Sequence, residues 1–160
     1  MAARVLRTRA DFMLASGVLL VLREQVVPPP PVKGQPSAIP SNPVEGPEVL
    51  LSVWDDGRVV ALHGHVDLGT GIRTAFAQIV AEELGVDVDQ VEMILGDTGT
   101  VPNQGPTIAS ASIQIHAQPL RIAAAQARRH LLARAEQVLG VPVNLLRVTR
   151  GVVCCATDDR

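Results

Sequence analysis

The stretch 58-RVVALHGHVDLGTGIRTAFAQIVAEELG-85 changes period halfway along. Its first part is aliphatic and β-branched, and it reads as a strand over 58–65. From Ile72 onward, apolar residues return at Ala75, Phe76, Ile79, Val80 and Leu84, which is one face of a helix. The six residues 66-VDLGTG-71 join the two. Thr70 is placed to cap the helix start and Gly85 to end it. A strand that runs straight into an amphipathic helix calls for a sheet with a helix laid on its face.

The flanking residues extend this pattern. VLLSVW at 49–54 reads as a strand that turns through Asp55-Asp56-Gly57, where Asp-Gly supplies the positive φ of a tight hairpin. VEMIL predicts a strand at about 91–96. After a loop, ASIQIHAQPLRIAAAQARRHLLARAEQVLG is helical. Leu120, Ala124, Ala127, Leu131, Ala135, Val138 and Leu139 line one side of it, and Pro119 is expected to kink or divide it. A last hairpin turns at Arg150-Gly151. The expected fold is α+β, with an α/β-like mixed sheet and two main helices packed on one of its faces.

Two strand-to-helix turns are the places where chemistry can sit. In 66-VDLGTG-71, Gly69 and Gly71 remove side chains, so backbone N–H groups can approach an anion at a helix start, and Thr70 adds a hydroxyl. Glycine at such turns also serves geometry alone, and the third glycine of a dinucleotide fingerprint is missing. The second turn, 96-GDTGTVPNQGPTIASASIQ-114, carries Gly105, Thr107, Ser110 and Ser112 with no Lys, Arg or His. Its hydroxyls suit a phosphorylated ligand and equally suit capping of the helix that follows. If the two strands run parallel, both turns leave the same edge of the sheet, where α/β folds bind ligands.

Other candidates are weaker. His63 and His65 lie two apart, hence on one face of a strand, and a metal would need further ligands, for which His116 and Asp67 are the nearby options. Asp97 suits a general base or a turn. No Ser-His-Asp arrangement is readable. The adjacent Cys154 and Cys155 suit neither a disulfide with each other nor a zinc site, and they read as reduced thiols in a terminal strand.

Composition narrows the function classes. With 160 residues, 47% of them hydrophobic and 19% charged, the chain can bury a core. Aromatic residues make up 2%, with no Tyr, so base stacking is not a main activity. A net charge of −2 gives no field for nucleic acid.

The chain divides into three parts. Residues 1–25 place basic residues before the apolar run Phe12–Leu22. RTRADFMLASG resembles a degraded twin-arginine export signal, with Ala10 where the second Arg would stand. If it works, the protein is periplasmic; otherwise it is cytoplasmic. The alternative is an apolar tail or a short helix docked on the domain. Residues 26–48 hold eight prolines and two glycines, which reads as an extended linker. Residues 49–160 are the expected domain. It ends on a hairpin without a covering element, so a fragment or a partner-dependent piece is expected.

Taken together, DDGRVVALHGHVDLGTGIRTAFAQIVAEELGVDVDQVEMILGDTGTVPNQGPTIASASIQ and the LRIAAAQARRHLL helix resemble the molybdopterin-binding large subunit of the xanthine dehydrogenase/aldehyde oxidase family, in its nicotinate dehydrogenase and isoquinoline oxidoreductase branch. The resemblance covers about residues 50–150 and implies the following. The cofactor is molybdenum–molybdopterin, often extended with cytosine dinucleotide, and the reaction is hydroxylation of heteroaromatic rings or aldehydes with oxygen from water. Gly69, Thr70 and Gly71 approach the molybdenum–pterin end. Gly105, Thr107, Ala109, Ser110 and Ser112 contact the pterin and its phosphate, while the hydroxyls also cap the helix. The implied partners are the rest of the large subunit or a complementary chain, an iron–sulfur small subunit and a cytochrome acceptor. Relatives often carry Gln where Thr70 stands and Glu where Asp67 stands. No residue here matches the family's catalytic Glu, so no catalytic residue and no metal ligand is assigned, and the chain alone is expected to be inactive. The remaining readings are a truncated non-catalytic module that folds with a partner, and a generic phosphate-binding domain.

Overall fold

A computed structural model describes residues 10–15, 18–23, 48–101, 104–108 and 111–156. Five strands form one sheet in sequence order: β1 (Ala10–Ala15), β2 (Val18–Arg23), β3 (Glu48–Trp54), β4 (Val59–His63) and β5 (Val91–Leu95). The first four pair antiparallel, and β4 pairs parallel with β5, Val59 opposite Val91 and His63 opposite Leu95. The mixed sheet expected from the sequence is therefore observed, and the parallel pair sends both strand-to-helix turns off one edge.

The β3–β4 hairpin closes as its Asp-Asp-Gly sequence predicts. Gly57 takes φ 86°, and its N–H donates to the Trp54 carbonyl at 3.1 Å. Helix α1 (Ile72–Leu84) follows the first turn and buries Ile72, Phe76, Ala77, Val80, Ala81 and Leu84. Gly85 ends it at φ 76° and donates to the Ala81 carbonyl at 2.8 Å. A Cβ on Gly85 would lie 3.1 Å from Val148, so glycine there also lets the last hairpin close in.

The long helical segment is divided, as Pro119 requires. Ser112–His116 is a π-helical turn, and α2 (Ala117–Leu139) continues from it. Pro119 has no N–H, and its ring crowds the carbonyl four residues back, so a wider turn just upstream relieves both demands. Helix α2 buries Ala117, Leu120, Ala123, Ala124 and Ala127. The predicted apolar stripe runs further than the core does: Val138 and Leu139 are 69% and 55% exposed. The core joins both helices to Leu51, Val59, Ala61 and Met93 of the sheet. Such thin alanine packing follows from the scarcity of aromatics.

One expectation is corrected. The apolar segment near the N-terminus is neither a loose tail nor a docked helix; β1 and β2 are strands, and Arg23 stands opposite Glu48 in register at the start of β3. Residues 24–47, which hold nearly all of the expected linker, lie outside the described residues. The final hairpin, β6 (Leu146–Thr149) and β7 (Val152–Cys155), does not join the main sheet but forms its own two-stranded sheet. It is tied to α1 by the Gly151 N–H donating to the Gly85 carbonyl at 2.8 Å. Arg150 (φ 49°) and Gly151 (φ 76°) make its turn, and Cys154 and Cys155 are free thiols.

Candidate functional site

The first turn is organised by an acid. Asp67 Oδ1 accepts the backbone N–H of Gly69, Thr70 and Gly71 at 3.0, 2.9 and 3.1 Å, and Oδ2 accepts that of Arg73 at 3.1 Å. The Arg73 N–H contributes most to holding this carboxyl below the usual Asp range, followed by those of Gly71, Gly69 and Thr70. Asp67 thus does what Thr70 was expected to do: the helix start carries no hydroxyl cap. The reason is reach, since a carboxylate has two oxygens with about four lone-pair sites and here satisfies four donors, whereas a hydroxyl oxygen offers two lone pairs. The N–H groups expected to greet an external anion are already occupied. What the turn leaves open is the outer side of Gly69 (φ 87°) and Gly71 (φ 76°), where an added Cβ would meet nothing within 4 Å, together with the exposed Thr70.

The second turn is stitched to the first by side chains. Thr107 Oγ1 accepts the Val66 N–H at 3.0 Å, and Gln104 Oε1 accepts the Gly64 N–H at 2.8 Å. Gly105 takes φ 85°. Ser112 is buried, with its Oγ 3.1 Å from His65 Nδ1. Neither Thr107 nor Ser112 caps the helix, contrary to expectation; the π turn begins without a side-chain cap, and both hydroxyls are spent across the two turns. Ala109 and Ser110 lie outside the described residues. Asp97 is a turn-former, its Oδ1 accepting the Gly99 N–H at 2.9 Å.

Between the turns sit two fully buried histidines, His63 and His65. His63 Nδ1 accepts the His65 N–H at 3.2 Å, so its proton is on Nε2, which donates to the His116 carbonyl at 3.1 Å. Its ring stacks on Phe76 at 4.2 Å. His65 Nε2 donates to the Gln104 carbonyl at 3.3 Å, which leaves Nδ1 to accept the Ser112 hydroxyl. Burial is the main cause that pushes His63 down to about 4, and burial also lowers His65. Both rings are neutral cross-links. No group of three metal-ligating side chains forms among the described residues: Asp67 faces its own N–H groups, and the ring nitrogens of His63 and His65 are engaged.

Gly96 completes the junction. At φ 63° it donates its N–H to the His63 carbonyl at 3.0 Å, and a Cβ there would fall 2.2 Å from Val66 Cγ1. The sequence gives no separate sign of Gln104 or Gly96 as joints. For the histidines the sign was present, since their spacing of two places both on the inward face, but it equally suited a metal pair. Around the junction, Leu68 on the first turn and Ile108 on the second are exposed, Leu68 at 73%.

The chain is similar to known proteins. Residues 24–160 match the molybdopterin cofactor-binding domain. The chain is 51% identical over 154 residues to a nicotinate dehydrogenase subunit of Pseudomonas putida, covering 95% of this chain and 13% of that protein. It is 34% identical over 71 residues to mouse xanthine dehydrogenase/oxidase, 44% of this chain and 5% of that one. Among solved structures, CO dehydrogenase of Oligotropha carboxidovorans and quinoline 2-oxidoreductase of Pseudomonas putida 86 each superpose with a TM-score of 0.56 at 27% identity, over 63% of this chain and 13% of theirs. The chain thus spans a small part of the length of the relatives it matches. With the paired turns, the parallel strands beneath them and the match over residues 24–160, the chain belongs to the molybdopterin cofactor-binding domains of the xanthine dehydrogenase family.

Proposed function

We propose that this chain supplies one wall of the molybdopterin pocket of a molybdenum hydroxylase large subunit. The observation that carries the reading is the junction itself: two turns from adjacent parallel strands, cross-linked by His65, Thr107 and Gln104, present open glycine backbone and exposed apolar residues on one edge. A pterin group fits that surface in kind. Gly69 and Gly71 leave room for close approach, and Leu68 and Ile108 offer apolar contact. Thr107, which accepts from Val66, keeps its own hydroxyl proton to donate. Thr70 and Gly105 stand at the same edge. Ala109, Ser110 and Ser112 complete the assigned set, with Ser112 acting through His65 and not on the ligand directly.

When bound, the molybdenum–pterin group supplies two-electron oxidation of a heteroaromatic or aldehyde substrate with oxygen from water. The residues here bind and orient: they hold two turns at fixed spacing and exclude water from the histidine layer beneath. The cytosine dinucleotide form, an iron–sulfur small subunit and a cytochrome acceptor belong to the same proposal. So does dependence on the rest of a large subunit, because the chain matches 13% of the Pseudomonas relative.

The test is co-expression with a polypeptide corresponding to the remainder of that relative, in a molybdopterin-producing host. Oxidised-pterin fluorescence should appear in the purified complex, and Thr107→Val should lower it. Turnover by the 160-residue chain alone, or a complex without pterin, overturns the reading.

A further inference from the structure

At the opposite end of the sheet from the two turns lies a groove of about 520 Å3. Its walls come from Trp54 and Val59 of the β3–β4 hairpin, Leu84 of α1, Leu131 and Val138 of α2, and Val153 of β7. Three facts set it apart from ordinary surface. The stripe Leu131, Ala135, Val138 and Leu139 continues the core-facing side of α2, yet its last turn stands open: Val138 and Leu139 are largely exposed. Trp54, the one tryptophan of the chain, is 38% exposed beside it. The groove also carries two guanidinium groups, Arg128 and Arg134, without a carboxylate among its lining residues other than Asp55 at the hairpin turn. Arg128 Nε is shielded from solvent and has no hydrogen-bond partner among the described residues, an unfavourable state for a charged donor.

The apolar side of α2 thus runs out into solvent over its last turn, beside Trp54, and an exposed apolar patch of this kind marks an interaction surface. We infer that this groove receives an apolar segment bearing a carboxylate, contributed by the polypeptide that makes up the rest of a large subunit. The sign of the charge follows from Arg128 and Arg134. The source follows from length, because the chain matches 13% of its Pseudomonas relative and most of that subunit must pack somewhere on it. On docking, the Arg128 guanidinium turns toward the incoming acceptor and its unpartnered N–H is satisfied. The groove sits by the β3–β4 turn, and none of its lining residues belongs to 64–71, 104–108 or 111–112, so its occupant is not the cofactor. The inference rests on the proposed large-subunit reading but not on the cofactor contacts.

The full chain is co-expressed with the remainder of the Pseudomonas subunit, with p-benzoylphenylalanine in place of Val138, or of the exposed Gln78 on α1 as a control. Irradiation should join position 138, and not 78, to a segment of the complementary polypeptide that holds an Asp or Glu. Arg128→Met should reduce the co-purified partner about tenfold or more. Arg128→Lys, which keeps charge and stem but loses the planar fork, should weaken it as well. A urea midpoint unchanged in both variants excludes a folding artefact. Crosslinks from position 138 to a second copy of this chain, equal crosslinking at 78, unaffected binding by both Arg128 variants, or no complex at all overturns the inference. Pterin fluorescence, read on the same complex, separates the two ideas: a crosslinked groove without pterin refutes the pocket and leaves the groove standing.

Discussion

Gly96 shows how much one missing methyl group can decide. Its φ of 63° and the 2.2 Å approach of Val66 Cγ1 to a would-be Cβ leave no room for alanine. Gly96→Ala should destabilise the chain by roughly 2–3 kcal/mol, read as a lower urea midpoint, and adding Val66→Ala should recover part of it. Asp67 is the other decisive residue. Asp67→Ala removes the acceptor of four backbone donors and should lower the midpoint, while Asp67→Asn, which keeps one acceptor oxygen, should lower it less. Because its folded pKa is depressed, the stabilisation from Asp67 is present above the unfolded carboxyl pKa and is lost as pH falls through the folded value. The wild-type advantage over Asp67→Ala should therefore shrink in acid.

At the scale of elements, the histidine layer makes the packing of β4 against the π turn sensitive to pH. His63 is neutral when folded, at about 4, and accepts protons from about 6.5 when unfolded. Between those values the unfolded chain binds more protons, so stability rises with pH across that window and falls as pH is lowered through it. The difference is on the order of 3 kcal/mol. A proton on His63 Nδ1 would face the His65 N–H, donor against donor, whereas the Ser112 hydroxyl can rotate to accept from a protonated His65. Chemical denaturation at about pH 7 and about pH 4.5 should show the loss in the wild type and much less of it in His63→Gln. The ion pair between Arg121 of α2 and Glu83 of α1 is a contrast, since Arg121 is largely exposed. Glu83→Gln should change stability by about 0–1 kcal/mol, within the scatter of most denaturation curves.

For the whole molecule, two surfaces at opposite ends of the sheet expose apolar residues to solvent. One presents open glycines, Leu68 and Ile108; the other presents Val138, Leu139 and Trp54. On the proposed large-subunit reading, the chain's midpoint should rise when the remainder of such a subunit is bound, by linkage, and a thermal scan with and without that polypeptide measures it.

The order of elements from residue 49 onward was legible without coordinates, because period 2, period 3.6 and Gly-ended turns are local properties of the backbone. The pairing of the two turns was legible only on the condition that their strands run parallel, and the β4–β5 register meets that condition. Local pattern was silent on the strands β1 and β2: an apolar run of that length suits a leader, a helix or a strand, and pairing with β3 decided it. It also misassigned the hydroxyls. Thr70, Thr107 and Ser112 are good caps by residue type, but whether a hydroxyl caps its own helix or crosses to another turn depends on what lies within about 3 Å of it. That is a property of chain segments about forty residues apart, here Val66 with Thr107 and His65 with Ser112. The sequence determined which segments form and which chemical groups they carry; only the tertiary structure decided which of those groups are already satisfied, because hydrogen-bond partners are chosen by distance in space and not along the chain.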